Sequence, residues 1–122
     1  MAKILIVDDE FGIAELFEAL LVDEGHEVFT AANGKQGLEM LVMTKPDLVF
    51  LDYMMPVMDG ASMLTAMMAD EGATDIPVIL MSSMPEAAVA ARCRGYALFM
   101  RKPFYVSDIL EIVQRFIPRH SA

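Results

Sequence analysis

Five positions in this chain carry side chains whose chemistry depends on their company. Asp8 and Asp9 follow the apolar run Ile4-Leu5-Ile6-Val7, and Asp52 follows the run Leu48 to Leu51. Ser82 follows Ile76 to Met81, and Lys102 follows Tyr96 to Met100 by two residues, with Pro103 behind it. Each run has the length of a buried strand, so each polar group stands where a strand emerges into a loop. In a parallel sheet all such ends share one edge, and in open α/β sheets that edge binds ligands. Three carboxylates at close range repel one another unless something neutralises them. Lys102 supplies one positive charge, and the remaining deficit of two is the charge of a single Mg²⁺, a cation that takes one or two carboxylates and keeps several waters. A phosphoryl group arriving at Asp52 then meets a metal, an ammonium and a hydroxyl. Phosphoryl transfer needs those groups, because its catalysis is mostly positioning and charge stabilisation.

The elements that must position these groups alternate along the chain. Lys3 to Val7 reads as a first strand, buried on both faces. Phe11 to Glu24 follows as a helix, with Ile13, Leu16, Phe17, Leu20 and Leu21 at helical spacing, and Gly25 ends it. Glu27 to Ala31 is a short, more polar strand at the sheet edge. Asn33-Gly34 reads as a turn. Lys35 to Met43 is helix two, with Leu38 and Leu41 inward, and Pro46 marks its end. Asp47 to Leu51 is strand three. Asp59 caps helix three, which runs to about Ala69 with Leu64, Met67 and Met68 inward. Ile76 to Met81 is strand four, Pro85 to Arg94 is weakly helical, and Tyr96 to Met100 is strand five. Ser107 caps a last helix whose buried stripe is Ile109, Ile112, Val113, Phe116 and Ile117, and Pro118 stops it. Five strands alternating with five helices predict a doubly wound parallel sheet with helices on both faces. Two strand orders satisfy right-handed crossovers, and one of them, 2-1-3-4-5, sets strands one and three side by side.

Composition bounds the function. The chain has 122 residues, 56% of them hydrophobic, which is enough for one domain with a core of its own. Its net charge of −9 argues against direct nucleic-acid binding and against an anionic membrane surface. The single cysteine, Cys93, cannot form an internal disulfide, which suits a reducing cytoplasm and a packing role. No apolar run reaches the roughly 18 residues of a membrane helix, and Ile4 to Val7 is too short for a signal peptide.

The motifs "ILIVDDE", "PDLVFLDYMMPVMDG", "PVILMSS" and "RKPF", in that order and in register with the strand ends, resemble the receiver domain of two-component response regulators. The resemblance covers about Lys3 to Ile117. It implies a flavodoxin-like sheet of order 2-1-3-4-5 and a single receiver domain over residues 1–122. It implies Asp52 as phosphoacceptor, Mg²⁺ held by Asp8, Asp9, Asp52 and the backbone carbonyl of Met54, and Lys102 as the lysine that pairs with phosphate. Ser82 matches the switch hydroxyl and Phe99 the aromatic switch position, although an aromatic in a strand is equally a core residue. The implied partners are a histidine kinase or a histidine phosphotransfer protein upstream, and an output protein or fused domain downstream, in the cytoplasm. Such a protein is a switch that catalyses only its own phosphorylation and dephosphorylation.

The chain also departs from the family. From Ser82 to Gly95 it is about two residues short, which shortens the fourth helix or its entry loop. Tyr96 and Ser83 stand where smaller residues are usual. The side chains two residues beyond Asp52 and Ser82, which in the family hold the hydrolytic water, are Met54 and Met84. A thioether is a weak acceptor, so slow self-dephosphorylation is expected.

Three other functions fit less well. A haloacid-dehalogenase-like phosphatase would place a second Asp where this chain has Met54. A flavin site would need a phosphate-cradling loop where Asp8-Asp9-Glu10 repels phosphate. A receiver reduced to a contact module would not need both Asp52 and Lys102. Asp59 with Gly60 reads as a turn and cap, Glu10 as helix-start electrostatics, and the methionines as adaptable filler, with those after Asp52 as candidate partner surface. His26 and His120 lie away from the acidic cluster in sequence and are not expected to act there.

Overall fold

The computed structural model describes residues 1–117, so the expectations for Pro118 and His120 lie outside the described residues. The elements are β1 (Lys3–Val7), α1 (Phe11–Asp23), β2 (Glu27–Ala31), α2 (Gly34–Thr44), β3 (Leu48–Asp52), α3 (Gly60–Met68), β4 (Val78–Ser82), α4 (Glu86–Ala90), β5 (Leu98–Arg101) and α5 (Val106–Phe116). The five strands form one sheet in the order β2-β1-β3-β4-β5, every pair parallel.

Side chains alternate across the strands and build two cores. Leu5, Val7, Val49, Leu51, Val78 and Leu80 meet Leu41 of α2, Met63, Leu64 and Met67 of α3, and Val89 of α4 on one face. Ile4, Ile6, Leu48, Phe50, Ile79 and Met81 meet Phe17 and Leu21 of α1 and Ile109 and Val113 of α5 on the other. β1, β3 and β4 are buried almost throughout, as continuous apolar runs require, whereas β2 at the edge is half-buried.

Several boundaries differ from the sequence expectation, each for a local reason. β3 starts at Leu48 because the Asp47 carboxylate accepts the Lys3 N–H at 2.8 Å. β4 starts at Val78, after Pro77, which has no N–H to give a ladder, and it extends to include Ser82. β5 starts at Leu98, leaving Tyr96 off the strand with its hydroxyl donating to Glu86 Oε2 at 2.9 Å. Asn33 is a helix cap, not a turn residue: its side chain accepts the Gln36 N–H at 2.9 Å. Ser107 is no cap, because α5 opens one residue earlier behind Tyr105, whose N–H goes to the Asp108 carboxylate at 2.8 Å. Asp59 caps α3 as expected, accepting the Ser62 N–H at 2.8 Å. Met63 takes the inward place expected of Met68, which is 39% exposed, and Ala14 the one expected of Leu16, which is 42% exposed. α4 has only five residues, in line with the missing length before Gly95.

The loop after β3 is held under strain. Val57 has φ +68°, and Met58 N–H donates across it to the Pro56 carbonyl at 2.7 Å, the pattern of a γ-turn. A left-handed conformation costs an L-residue about 1–2 kcal/mol, and a β-branched side chain suits it poorly. The Val57 side chain is 79% exposed, so it returns little packing energy. Val57→Gly is therefore expected to stabilise the fold by about 1 kcal/mol, after the entropy that glycine adds to the unfolded chain. Urea or thermal unfolding checks this, and a variant less stable than the parent contradicts it.

Candidate functional site

The register of the sheet assembles the site. Val7 of β1 lies beside Leu51 of β3, so the residues that follow, Asp8 and Asp52, are neighbours across the strand ends. Asp52 pairs with Met81 of β4, which brings Ser82 alongside, and Lys102 N–H donates to the Ser82 carbonyl at 2.8 Å. Gly60 begins α3 directly behind Asp52. A Cβ there would overlap the Asp52 carbonyl oxygen and stand 2.9 Å from Tyr53 Cα, so only glycine lets the helix start that close.

The side chains converge as their types predict. Carboxylate oxygens of Asp8, Asp9 and Asp52 lie within 4.8 Å of one another. Lys102 Nζ stands 3.1 Å from Asp8 Oδ2, 3.3 Å from Asp52 Oδ1 and 3.8 Å from Glu10 Oε1. Asp8 Oδ1 accepts the Glu10 N–H at 2.9 Å. Asp8 and Asp52 are buried, whereas Asp9 is exposed. Burial, and next the neighbouring Asp8 carboxylate, push the Asp52 carboxyl up to about 6. Burial also raises Asp8. Burial works against the Lys102 ammonium, but Asp52 and Asp8 outweigh it and hold its pKa above the usual lysine value. One ammonium between two buried carboxylates leaves negative charge uncompensated. The donor set, all hard oxygens, fits Mg²⁺.

Around this cluster lies a cleft of about 580 Å³, lined by Asp9, Asp52, Met54, Ser82, Ser83 and Lys102 and walled by Ile13, Leu16, Pro103 and Phe104. Leu16, assigned by periodicity to the core, is thus a cleft residue. Phe104 packs edge-on against Phe17 with ring centroids 5.8 Å apart, which anchors the segment after Lys102. The sequence offered a signal for it, since Phe104 closes the "RKPF" motif. Arg101 opens the same motif, but its contact was not foreseen: its Nε donates to the Ser83 carbonyl at 3.3 Å and ties β5 to the loop after β4.

Ser82 is buried, and its Oγ accepts the Met84 N–H at 3.0 Å. Met84 does not line the cleft; it packs with the core on the α3 side, so of Met54 and Met84 only Met54 borders the space beside Asp52. Phe99 is half-buried against the same core, its ring 6.3 Å from that of Tyr96. Glu10 sits at the start of α1 with no side-chain cap, its carboxylate turned toward Lys102. Cys93 is buried, as a packing role requires. His26 accepts the Ala2 N–H at 3.2 Å, away from the cleft. No helix among the described residues is long and apolar enough to cross a membrane.

Comparison with known proteins gives a consistent answer. A family model described as response regulator receiver domain matches residues 4–114. The chain is 38% identical to sporulation initiation phosphotransferase F of Bacillus subtilis, over 98% of this chain and 96% of that one. It is 31% identical to the DNA-binding dual master transcriptional regulator RpaA of Synechocystis over 98% of its length, but spans only 50% of that regulator. Among solved structures it is similar to the chemotaxis response regulator CheY4 of Vibrio cholerae, with a TM-score of 0.87 and 30% identity, covering 96% of this chain and 99% of that one.

Proposed function

The chain belongs to the response regulator receiver domain family, whose members accept a phosphoryl group in signal transduction, and on that premise we propose that Asp52 is the acceptor and residues 1–122 work as one receiver unit. The observation that carries this assignment is Lys102 Nζ, 3.3 Å from Asp52 and 3.1 Å from Asp8, beside three carboxylates whose oxygens lie within 4.8 Å of one another.

Asp8, Asp9, Asp52 and the Met54 carbonyl would hold Mg²⁺. When bound, the cation offsets the carboxylate charge and the negative charge on the phosphoryl oxygens. An Asp52 carboxylate oxygen attacks phosphorus in line as the P–N bond of a phosphohistidine breaks, and the departing imidazole nitrogen takes that electron pair. Lys102 turns from the Asp52 carboxylate to the phosphoryl oxygens. The Ser82 hydroxyl then donates to the phosphoryl group, and Phe99 repacks beside Tyr96. The partner affinity of α4, β5 and α5 changes with that repacking. The domain catalyses these steps on itself and turns over no external substrate.

The surface favours a protein as donor. Phe11 at 76% exposure, Met54 at 64%, Val57 at 79% and Tyr105 at 79% stand at the strand-end side of the molecule with the acidic cleft. Exposed apolar groups there suit docking of a histidine kinase or histidine phosphotransfer protein. An output protein, or a domain fused as in the longer relatives, would read the face formed by α4, β5 and α5, in the cytoplasm.

The direct test is incubation with acetyl phosphate and Mg²⁺ followed by intact mass. The expected result is a gain of one phosphoryl group that chelation prevents. A protein that gains none, or gains it equally with chelator, rejects the assignment.

A further inference from the structure

We propose that Met54 is an oxidation site through which a peroxide shortens the life of the phosphoryl group, an inference that rests on Asp52 being the acceptor. Met54 is 64% exposed and forms one wall of the cleft that holds Asp52, Ser82 and Lys102. No other methionine among the described residues lines that cleft. A thioether accepts hydrogen bonds weakly, so this wall offers water little purchase.

Peroxide changes that. The Met54 sulfur attacks one peroxide oxygen, the O–O bond breaks, and sulfoxide and water result. The sulfur is oxidised and the peroxide reduced by the same two electrons. The sulfoxide oxygen is a strong acceptor on a side chain that has become polar. Hydrolysis of an acyl phosphate needs a water aligned opposite the Asp52 oxygen. A sulfoxide oxygen on the Met54 wall accepts a hydrogen bond from such a water and holds it in the cleft.

The other sulfur atoms do not compete for this role. Met63, Met67, Met81 and Met100 are buried. Met40, Met55, Met58 and Met84 are partly buried against the α3-side core, and of the exposed Met1, Met43 and Met68, Met1 lies at the far end of the molecule, Met43 on the outer face of α2 and Met68 over Gly95. Cys93 is buried, and that burial pushes its thiol pKa up, which suppresses the reactive thiolate.

The test follows the decay of protein phosphorylated with acetyl phosphate and Mg²⁺, after removal of the donor, with and without prior mild hydrogen peroxide. Peptide mapping locates the sulfoxides. Each variant is compared with its own untreated sample. Decay is expected to quicken by about threefold or more on oxidation, a modest change in barrier. Methionine sulfoxide reductase should reverse it, Met54→Leu should lose the response, and Met43→Leu should keep it. The proposal is overturned by unchanged or slower decay with Met54 sulfoxide present, by an equal response in Met54→Leu, or by Met54 resisting oxidation while Met43 is oxidised. A protein that takes no phosphoryl group before oxidation overturns the acceptor assignment itself, and the proposal with it.

Discussion

Asp52→Asn is expected to take no phosphoryl group from acetyl phosphate, a loss of at least ~100-fold, because an amide oxygen is a far weaker nucleophile than a carboxylate. The loss should be chemical and not structural. Asn is close in shape to Asp, and Asp52 ends a strand whose ladder does not use its side chain. Asp9→Asn makes the informative contrast. Asp9 is exposed and makes no contact with Lys102, so its removal leaves the acceptor and ammonium in place. That variant should still be labelled, but should need more Mg²⁺, because one charged oxygen donor is gone. Intact mass across a Mg²⁺ titration distinguishes the cases. Equal labelling of Asp52→Asn would place the phosphoryl group elsewhere and sink the assignment.

In chelator at neutral pH, the same Asp52→Asn variant is expected to be more stable than the parent by about 1–3 kcal/mol, or several degrees in Tm. The sign follows from the Asp52 carboxyl, which rises from 3.8 to about 6 on folding because it is buried beside Asp8. A carboxyl raised by folding binds its proton more tightly in the native state. Well below pH 3.8 it is protonated in both states and adds nothing. Between 3.8 and about 6 the parent loses stability as pH rises, and above that window the full cost of the buried charge is present. Asp8, raised by burial too, acts in the same direction. Lys102, held above the usual lysine value, keeps its contribution across this range and loses it only at alkaline pH. The Asn advantage should therefore shrink through the acid window, and Mg²⁺ should close the neutral gap by stabilising the parent. Unfolding at several pH values with and without chelator checks both statements. A parent more stable than the Asn variant in chelator at neutral pH would mean that Lys102 already compensates the cluster.

The site was legible because its residues end apolar runs. Asp8, Asp52 and Lys102 each follow a stretch that has few options besides a buried strand, so their convergence follows from a parallel sheet alone. The faces of the helices were less legible. Leu16 and Met68 are apolar, yet they are 42% and 39% exposed, while Ala14 and Met63 take the inward places. Both helices carry apolar residues around most of their circumference, so periodicity does not mark one stripe clearly. In α5, where charged and apolar residues alternate cleanly, the inward stripe was read correctly from Ile109 and Val113 onward.

The sequence by itself determined the element order, the strand-end positions of the carboxylates, Ser82 and Lys102, and the charge deficit that a divalent cation would fill. These are properties of local runs and of charge, which do not depend on how the chain packs. Only the tertiary structure decided that Lys102 is shared among Asp8, Asp52 and Glu10, that Asp52 is buried deeply enough to rise to about 6, and that Met54 faces the cleft while Met84 turns into the core. Distances across a sheet edge, and the loss of water around a carboxylate, arise only when β1, β3, β4 and the segment after β5 are brought side by side. No spacing along the chain encodes them.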